Sequence, residues 1–440
     1  ANEYNPVPKL GSYEATNPCG EQPLLAYDVC NLGSINLGKF VKEEAHPGID
    51  PEEGIDWEGL KRVVHLSTNF LDNVIDANVY PLQQIHELAQ NIRRIGLGVM
   101  GWADMMIRLG IGYDSEEGVA LGQRVMGFVD EEARRASEKL AEKRGVFPAW
   151  AESVWGPDES AAVGLNGGRV RQERELRNCN LTTVAPTGTI SIFAGCSGGI
   201  EPLFAVAFMR NQAGVLMPDV NPDFIRVAKD GGWYSEELME QIAEEGHIHF
   251  DEVPEEVQQV FRTAHDITPE WHVRMQAAFQ EHTDSAISKT TNFPSNATAE
   301  DVREIYELAY SLGCKGVTVY RDGAREGQVL STGKTDQGGQ AAAQSVFELE
   351  HSLADAREEA HNLRIEVERL KHELIGEDET LGAARQKRQR PPALQGYTMK
   401  VNSPLGDLYV TINEDDHGKP FEVFCTLGKA GGAPNADAEA

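Results

Sequence analysis

The chain has 440 residues, 40% of them apolar and 25% charged, enough for a large buried core and two or three domains. Its 40 basic and 70 acidic residues leave a formal charge of −30, which repels polyanions and argues against a nucleic-acid polymer as the main partner. No apolar run approaches the roughly 18 residues that span a bilayer, so no membrane segment is expected. Six cysteines, at positions 19, 30, 179, 196, 314 and 425, show neither a C-x-x-C pair nor zinc-type spacing. In so long a chain they do not form a disulfide scaffold; they imply no metal site and point to a reducing, cytoplasmic setting.

The first informative stretch is Thr16-Asn17-Pro18-Cys19-Gly20-Glu21-Gln22-Pro23. In an extended loop, side chains two apart share a side, so Asn17, Cys19 and Glu21 can converge on one small molecule. Pro18, Gly20 and Pro23 disfavour a helix and suit a tight turn. The set offers a reactive sulfur, a carboxylate to take a proton and an amide to orient a hydroxyl. A lone cysteine is more often a small buried hydrophobe, so the loop by itself leaves both readings open. No basic-then-apolar leader precedes it. The chain starts at Ala1 and leads directly into this loop, as expected for part of a longer protein.

An extended segment is expected around Leu32 to Leu37. Asp56 can cap a helix carrying Leu60, Val63, Val64, Ser67, Phe70, Leu71 and Val74 at helical spacing, ended by Pro81, with a second helix over Leu82 to Ile95. Gly96-Leu97-Gly98-Val99-Met100-Gly101 spells a dinucleotide-binding fingerprint. An amphipathic helix precedes it where a strand is required, so the glycines read as close-packing points and not as a nicotinamide site. Ser115 to Gly145 is again helical, and residues 150–178, polar and glycine-rich, are expected at the surface.

Asn180 to Phe193 mixes β-branched residues with a Pro-Thr-Gly turn, the pattern of a strand, a turn and a further segment. The turn itself, Pro186-Thr187-Gly188-Thr189-Ile190-Ser191, has hydroxyls, a glycine for close approach and free N–H groups able to cradle a phosphate. On composition alone an ordinary polar turn is the commoner outcome. Gly195-Cys196-Ser197-Gly198-Gly199 then spells the nucleophile elbow of serine hydrolases. That motif needs a helix directly after the serine, which Gly198, Gly199 and Pro202 disfavour. A hydrolase using Ser197 is the competing enzyme reading.

Residues 221–330 alternate helical patterns with short apolar runs, including a helix from about Thr298 to Leu312 and a strand within Lys315–Asp322. Such alternation argues an α/β barrel or open sheet of mainly parallel strands. Gly333 to Gln344 is a linker by composition. Leu349, Leu353, Ala356, Ala360, Leu363, Val367, Leu370 and Leu374 form a heptad seam, which favours a coiled coil and, independent of catalysis, an interaction module able to pair two copies. Arg385, Lys387, Arg388 and Arg390 read as a solvated linker. Strands are expected at Tyr397–Val401, Leu408–Ile412 and Phe421–Thr426. Asp415-Asp416-His417-Gly418 is a near miss to the D-x-H-x-x-G cobalamin motif. The expected division is 1–330, a linker over 331–345, the coil over 346–376, a linker over 377–395 and a small β-rich domain over 396–440.

The run from Asn17 to Leu37, NPCGEQPLLAYDVCNLGSINL, resembles the active-site segment of ribonucleotide reductases, and its Cys19-to-Cys30 spacing resembles that of the adenosylcobalamin-dependent class II enzymes. The turn at 186–191 is similar to that family's substrate-diphosphate loop, and residues 288–330 and the tail also resemble class II; together the matches cover most of 1–330 and 396–434. The resemblance implies the second half of a ten-stranded α/β barrel, with the cysteine loop threading its interior. It implies adenosylcobalamin as cofactor and a thiyl radical on Cys19 that abstracts the 3′ hydrogen of a ribonucleotide. Glu21 then takes the 3′-hydroxyl proton, Asn17 holds the ribose hydroxyls, and Cys30 is one of two cysteines that deliver electrons and end as a disulfide, recharged by a thioredoxin-type or dithiol reductant. The partner of Cys30 belongs to the family's N-terminal half, which no residue here matches. The chain alone is therefore expected to be inactive or nearly so.

Overall fold

The computed structural model describes residues 2–162, 171–212, 215–323, 395–403, 406–414 and 420–427. The chain divides into two compact units, Ala1–Val346 and Phe347–Ala440. Among the described residues no helix is long and apolar enough to cross a membrane.

In the first unit, β1 (Ala15–Thr16) and β2 (Pro23–Leu24) pair antiparallel around the cysteine loop, and β3 (Asn31–Asn36) follows. After the single turn α1 (Pro51–Gly54) comes α2 (Trp57–Ala77), begun by the Asp56 carboxylate, which accepts the Gly59 N–H at 2.9 Å. Its buried positions Leu60, Val64, Leu71 and Ile75 repeat at helical spacing and pack under β3, where Gly33 lies against Leu71.

The helix α3 (Gln83–Ile92) stops three residues short of the expected Ile95. Arg93 turns the chain at φ +51, and β4 (Ile95–Met100) starts at once. The cause is a long-range ion pair. Buried Arg93 donates to Asp72 at 2.8 Å and to Asp76 at 2.8 Å, while Arg144 and Asn178 also reach Asp72. The glycine fingerprint therefore lies on a fully buried strand, followed by α4 (Trp102–Leu109).

Helix α5 (Glu116–Arg144), capped by Ser115, runs as expected. Within residues 150–178, part of the described stretch departs from the surface expectation. Trp155 and Leu176 are buried, the Trp155 indole donates to the Cys179 carbonyl at 2.8 Å, and the guanidinium groups of Arg134 and Arg171 lie 4.7 and 4.6 Å from its ring. Some of its polar residues are partners, as when Arg174 pairs with Glu131 and Glu138 on α5, while Glu152, Glu159, Gln172, Glu173 and Glu175 are exposed as expected.

Next come α6 (Gly188–Ala194) and an antiparallel hairpin, β5 (Ala207–Gln212) with β6 (Val215–Val220), that the sequence reading did not anticipate. Helices α7 (Pro222–Asp230), α8 (Glu236–Glu245) and α9 (Glu255–Val260) build a second core around Phe224, Ile242 and Phe261. Helix α10 (Pro269–Gln280) leads to β7 (Thr290–Phe293). Helix α11 (Ala299–Ser311) follows within a residue of expectation, with a Thr298–Asp301 capping box, and β8 (Thr318–Arg321) closes the series.

Parallel pairing carries the frame. β3 pairs with β4, Leu97 of β4 bridges Thr182, Val184 bridges Ile287, and β7, which continues from that segment, pairs with β8. Five parallel segments thus lie side by side among the described residues, with helices between them, an α/β arrangement.

In the second unit, β9 (Gln395–Ser403), β10 (Gly406–Glu414) and β11 (Pro420–Leu427) form an antiparallel sheet in the order β11-β10-β9, at the positions the alternation predicted. The heptad seam, the linker over 331–345, residues 377–394 of the second linker and Asp415–Gly418 lie outside the described residues, while Gln395, expected in that linker, opens β9.

Two stability predictions follow from the buried charges. Arg93→Met leaves Asp72 with Arg144, Asn178 and the more distant Arg177, and should destabilise the first unit by about 3 kcal/mol in chemical denaturation. The second concerns buried His272, whose Nδ1 is 2.8 Å from Lys289 Nζ. Burial and the Lys289 charge depress its pKa to about 2. Below about pH 6.5 the unfolded chain takes up a proton that the folded chain refuses, so stability falls with pH by up to about 1.4 kcal/mol per pH unit from this group. His272→Gln should flatten the stability–pH slope between pH 6 and 4 relative to the parent chain.

Candidate active site

The cysteine loop is a tight turn. The extended form expected from alternate side chains does not occur, because Asn17 and Gln22 close the loop on each other: Asn17 N–H donates to Gln22 O at 3.2 Å, and Gln22 N–H donates to Asn17 Oδ1 at 3.0 Å. Gly20, at φ +82, donates to Asn17 O at 3.0 Å. A side chain at Gly20 would be strained in that conformation.

The turn separates the three residues by burial. Asn17 is half-buried with its carbonyl oxygen engaged and its amide donor available, Cys19 is exposed at the tip, and Glu21 is buried. Glu21 Oε2 has no hydrogen-bond partner among the described residues. A buried carboxylate oxygen without a partner is costly unless something occupies it in the working state. The Glu21 backbone is fixed, since its carbonyl accepts from Ala286 N at 2.9 Å and from Thr183 Oγ1 at 3.1 Å.

Cys30 stands at the entry to β3, with its thiol 3.6 Å from Asn31 O. Burial pushes its pKa up, and Asp28, Cys179 and Glu21 add to the shift against the opposing charge of Arg94. Cys30 is therefore held as a thiol at neutral pH. Burial likewise pushes Cys179 up to about 12. The Arg94–Asp28 ion pair beside them, at 2.9 Å, is fully buried.

The second expected stretch, Pro186–Ser191, becomes a turn and the start of α6, where the sequence pattern suggested a plain strand–turn segment. Thr187 adopts φ +55, its hydroxyl oxygen accepts the Gly199 N–H at 2.7 Å, and Ser191 Oγ points to Gly188 O at 3.4 Å. The Thr187 oxygen, as an acceptor, and the Ser191 hydroxyl, as a donor, are thus engaged inside the loop. What remains open is backbone: Gly188, Thr189 and Ile190 are exposed, and N–H groups in a first helical turn lack intrahelical acceptors. Such groups attract an anion without a basic side chain.

Ser197 is not a hydrolase nucleophile in this arrangement. Helix α6 precedes it and no helix starts directly after it, and its hydroxyl donates directly to Asp104 Oδ2 at 2.6 Å with no histidine between. Its backbone N–H donates to the same oxygen at 2.7 Å, which ties the Gly195–Gly199 turn to α4. The residues that seat the cysteine loop, Thr183 and Ala286 among them, escaped sequence reading. Their only local signal was the pair of glycines at 96 and 98, spaced to face one neighbour.

A family model described as ribonucleotide reductase, barrel domain, matches residues 1–320. The chain is similar to the vitamin B12-dependent ribonucleoside-diphosphate reductase of Thermoplasma acidophilum, 49% identical over 336 residues, covering 76% of this chain and 41% of that protein. It is also 47% identical over 332 residues to the Mycobacterium tuberculosis protein of the same description, covering 75% and 44%. The chain spans less than half the length of these curated relatives. Among solved structures, the Actinobacillus ureae class Id ribonucleotide reductase alpha subunit superposes with a TM-score of 0.57 at 24% identity, covering 73% of this chain and 56% of that one, a likeness of fold. With the parallel α/β frame, the cysteine turn and the family match over residues 1–320 in agreement, the chain belongs to the ribonucleotide reductase barrel-domain family.

Proposed function

We propose that this chain is the catalytic part of a class II, adenosylcobalamin-dependent ribonucleotide reductase, which makes deoxyribonucleotides for DNA synthesis and repair by thiyl-radical chemistry. The observation that carries the reading is the exposed Cys19 thiol two residues from a buried carboxylate with an unpartnered oxygen, in a chain of this family. The names of the two curated relatives favour a ribonucleoside diphosphate as substrate.

The cofactor suits the donor set in one respect: Cys19 is exposed at the tip of its turn, open to a bulky group. When bound, adenosylcobalamin would supply the homolytic chemistry that generates a thiyl radical at Cys19. The thiyl on Cys19 then removes the 3′ hydrogen of the ribose. Glu21 accepts the 3′-hydroxyl proton on its free oxygen, and the Asn17 amide orients a ribose hydroxyl oxygen. The diphosphate sits on the N–H groups of Gly188, Thr189 and Ile190, with Pro186, Thr187 and Ser191 shaping the turn.

Cys30, kept protonated by burial, delivers one of the two reducing equivalents as the 2′-hydroxyl leaves as water. It ends in a disulfide with a cysteine of the N-terminal half-barrel, and a thioredoxin-type or dithiol reductant restores both thiols. The proposed organisation is the C-terminal half of a ten-stranded barrel over 1–330, a coil over 346–376 that supports a homodimer, and a small β-rich domain over 396–440. A cytoplasmic setting keeps these thiols reduced.

In the chain completed with its N-terminal half, given adenosylcobalamin, ribonucleotide and a dithiol, Cys19→Ser should abolish deoxyribonucleotide formation while leaving nucleotide binding nearly intact. Cys30→Ser should still exchange the 3′ hydrogen but fail to turn over. Multiple turnover by Cys19→Ser would sink the proposal.

A further inference from the structure

The root of the cysteine turn rests on a buried polar chain to which no role has been given. Gln22 is buried, and its Oε1 accepts from Ser285 Oγ at 3.0 Å. Ser285 Oγ accepts in turn from Asn180 Nδ2 at 2.9 Å. Both partners are buried, and both belong to neighbouring parallel segments: Asn180 O accepts the Ile95 N–H of β4 at 3.1 Å, and Ser285 N–H donates to Thr182 O at 3.0 Å. The other end of the Gln22 amide, Nε2, has no partner among the described residues. It fills the space a side chain at Gly96 would take, for a Cβ there would stand 2.9 Å from Gln22 Nε2, 2.8 Å from Thr183 Cγ2 and 2.7 Å from Leu32 Cδ2. The glycine at 96, read from sequence as a close-packing point, is what admits the Gln22 side chain.

The geometry points to Gln22, held by Ser285 and Asn180 against Gly96, as a positioning residue that sets the Asn17–Gln22 turn and thereby the placement of Cys19 and Glu21. Gln22 closes the turn through its backbone with Asn17, and it neighbours Glu21, whose carbonyl is anchored by Ala286 and Thr183. Its side chain ties that closed turn to Ser285, 263 residues away and just before the segment that bridges Val184. Radical transfer between a thiol and a carbon-bound hydrogen needs near-contact geometry, and misplacement by about 1 Å costs on the order of 10²-fold in rate. A turn so small has little apolar burial of its own to hold it, so a buried side-chain anchor is the available means. The catalytic meaning of this anchor rests on the radical reading; the anchoring itself does not.

The test is amide hydrogen exchange on the 440-residue chain carrying Ser285→Ala, Ser285→Thr or Gln22→Met, read by mass on peptides spanning 14–25 and 283–289, with α5 peptides as reference. Ser285→Ala and Gln22→Met should speed exchange in the turn by about tenfold or more and leave α5 unchanged, since local opening is separable from global stability; Ser285→Thr, which keeps the hydroxyl, should stay near the parent. In the completed enzyme the same two variants should lower kcat by about tenfold with KM within about twofold, the mark of a lost transition-state geometry. Parent-like exchange in both, equal acceleration in α5, or loss of cooperative folding in both would overturn the inference. If Cys19→Ser retains turnover while exchange responds as expected, the radical reading fails and the anchor stands.

Discussion

Two absent side chains on β4 govern how closely its neighbours can approach. A Cβ on Gly98 would stand 2.2 Å from the carbonyl oxygen of Thr183, so any other residue would force β4 away from the next parallel segment. Thr183 in turn donates to the carbonyl of Glu21, and Gly96 leaves room for the Gln22 amide. The seat of the cysteine turn therefore depends on backbone-to-backbone closeness that only glycine permits at these places. The same hexapeptide that spells a nucleotide fingerprint is used to bring a loop, and no dinucleotide, against the sheet.

Buried ion pairs fix where the parallel segments begin. Arg134 contacts Asp130 and Asp284, while Thr182 Oγ1 donates to Asp130 and Leu181 N–H to Asp284. Burial works against the Asp284 charge, but Arg134 and Arg171 hold its carboxyl well below the usual range. Lys289 does similar service farther along, joining Glu201 at 2.6 Å while Glu201 also accepts the Thr290 N–H. Such pairs add little net stability over apolar packing, yet they fix register because breaking them strands a charge.

The two cysteines of the active segment sit in different surroundings although eleven residues apart. Cys19 is exposed on a turn stiffened by hydrogen bonds at its base, and Cys30 is half-buried and held protonated beside Asp28, Arg94 and Cys179. The proposed reaction asks for that difference: one sulfur that a radical can reach, and one that keeps its hydrogen until the substrate needs it.

Much of this was legible without coordinates. Asp56, Ser115 and Thr298 each started the helix their position suggested, the tail strands fell on their alternating residues, and Asn17, Cys19, Glu21 and Cys30 stood out with the family they resemble. Caps and periodicity are local, so a linear reading recovers them. The break at Arg93, the burial of Trp155, and the inward use of the Thr187 and Ser191 hydroxyls were not recoverable that way. Arg93 turns for Asp72, Trp155 is capped by Arg134 and its indole reaches Cys179, and Gln22 answers to Ser285 across 263 residues. The sequence by itself determined which family the segment resembles, and so which chemistry to expect of it, and where α2, α5 and α11 start. Which polar groups remain free to perform that chemistry was decided only in three dimensions, because a hydrogen-bond donor or acceptor is spent on whichever partner the fold brings within about 3 Å, and no local pattern names that partner.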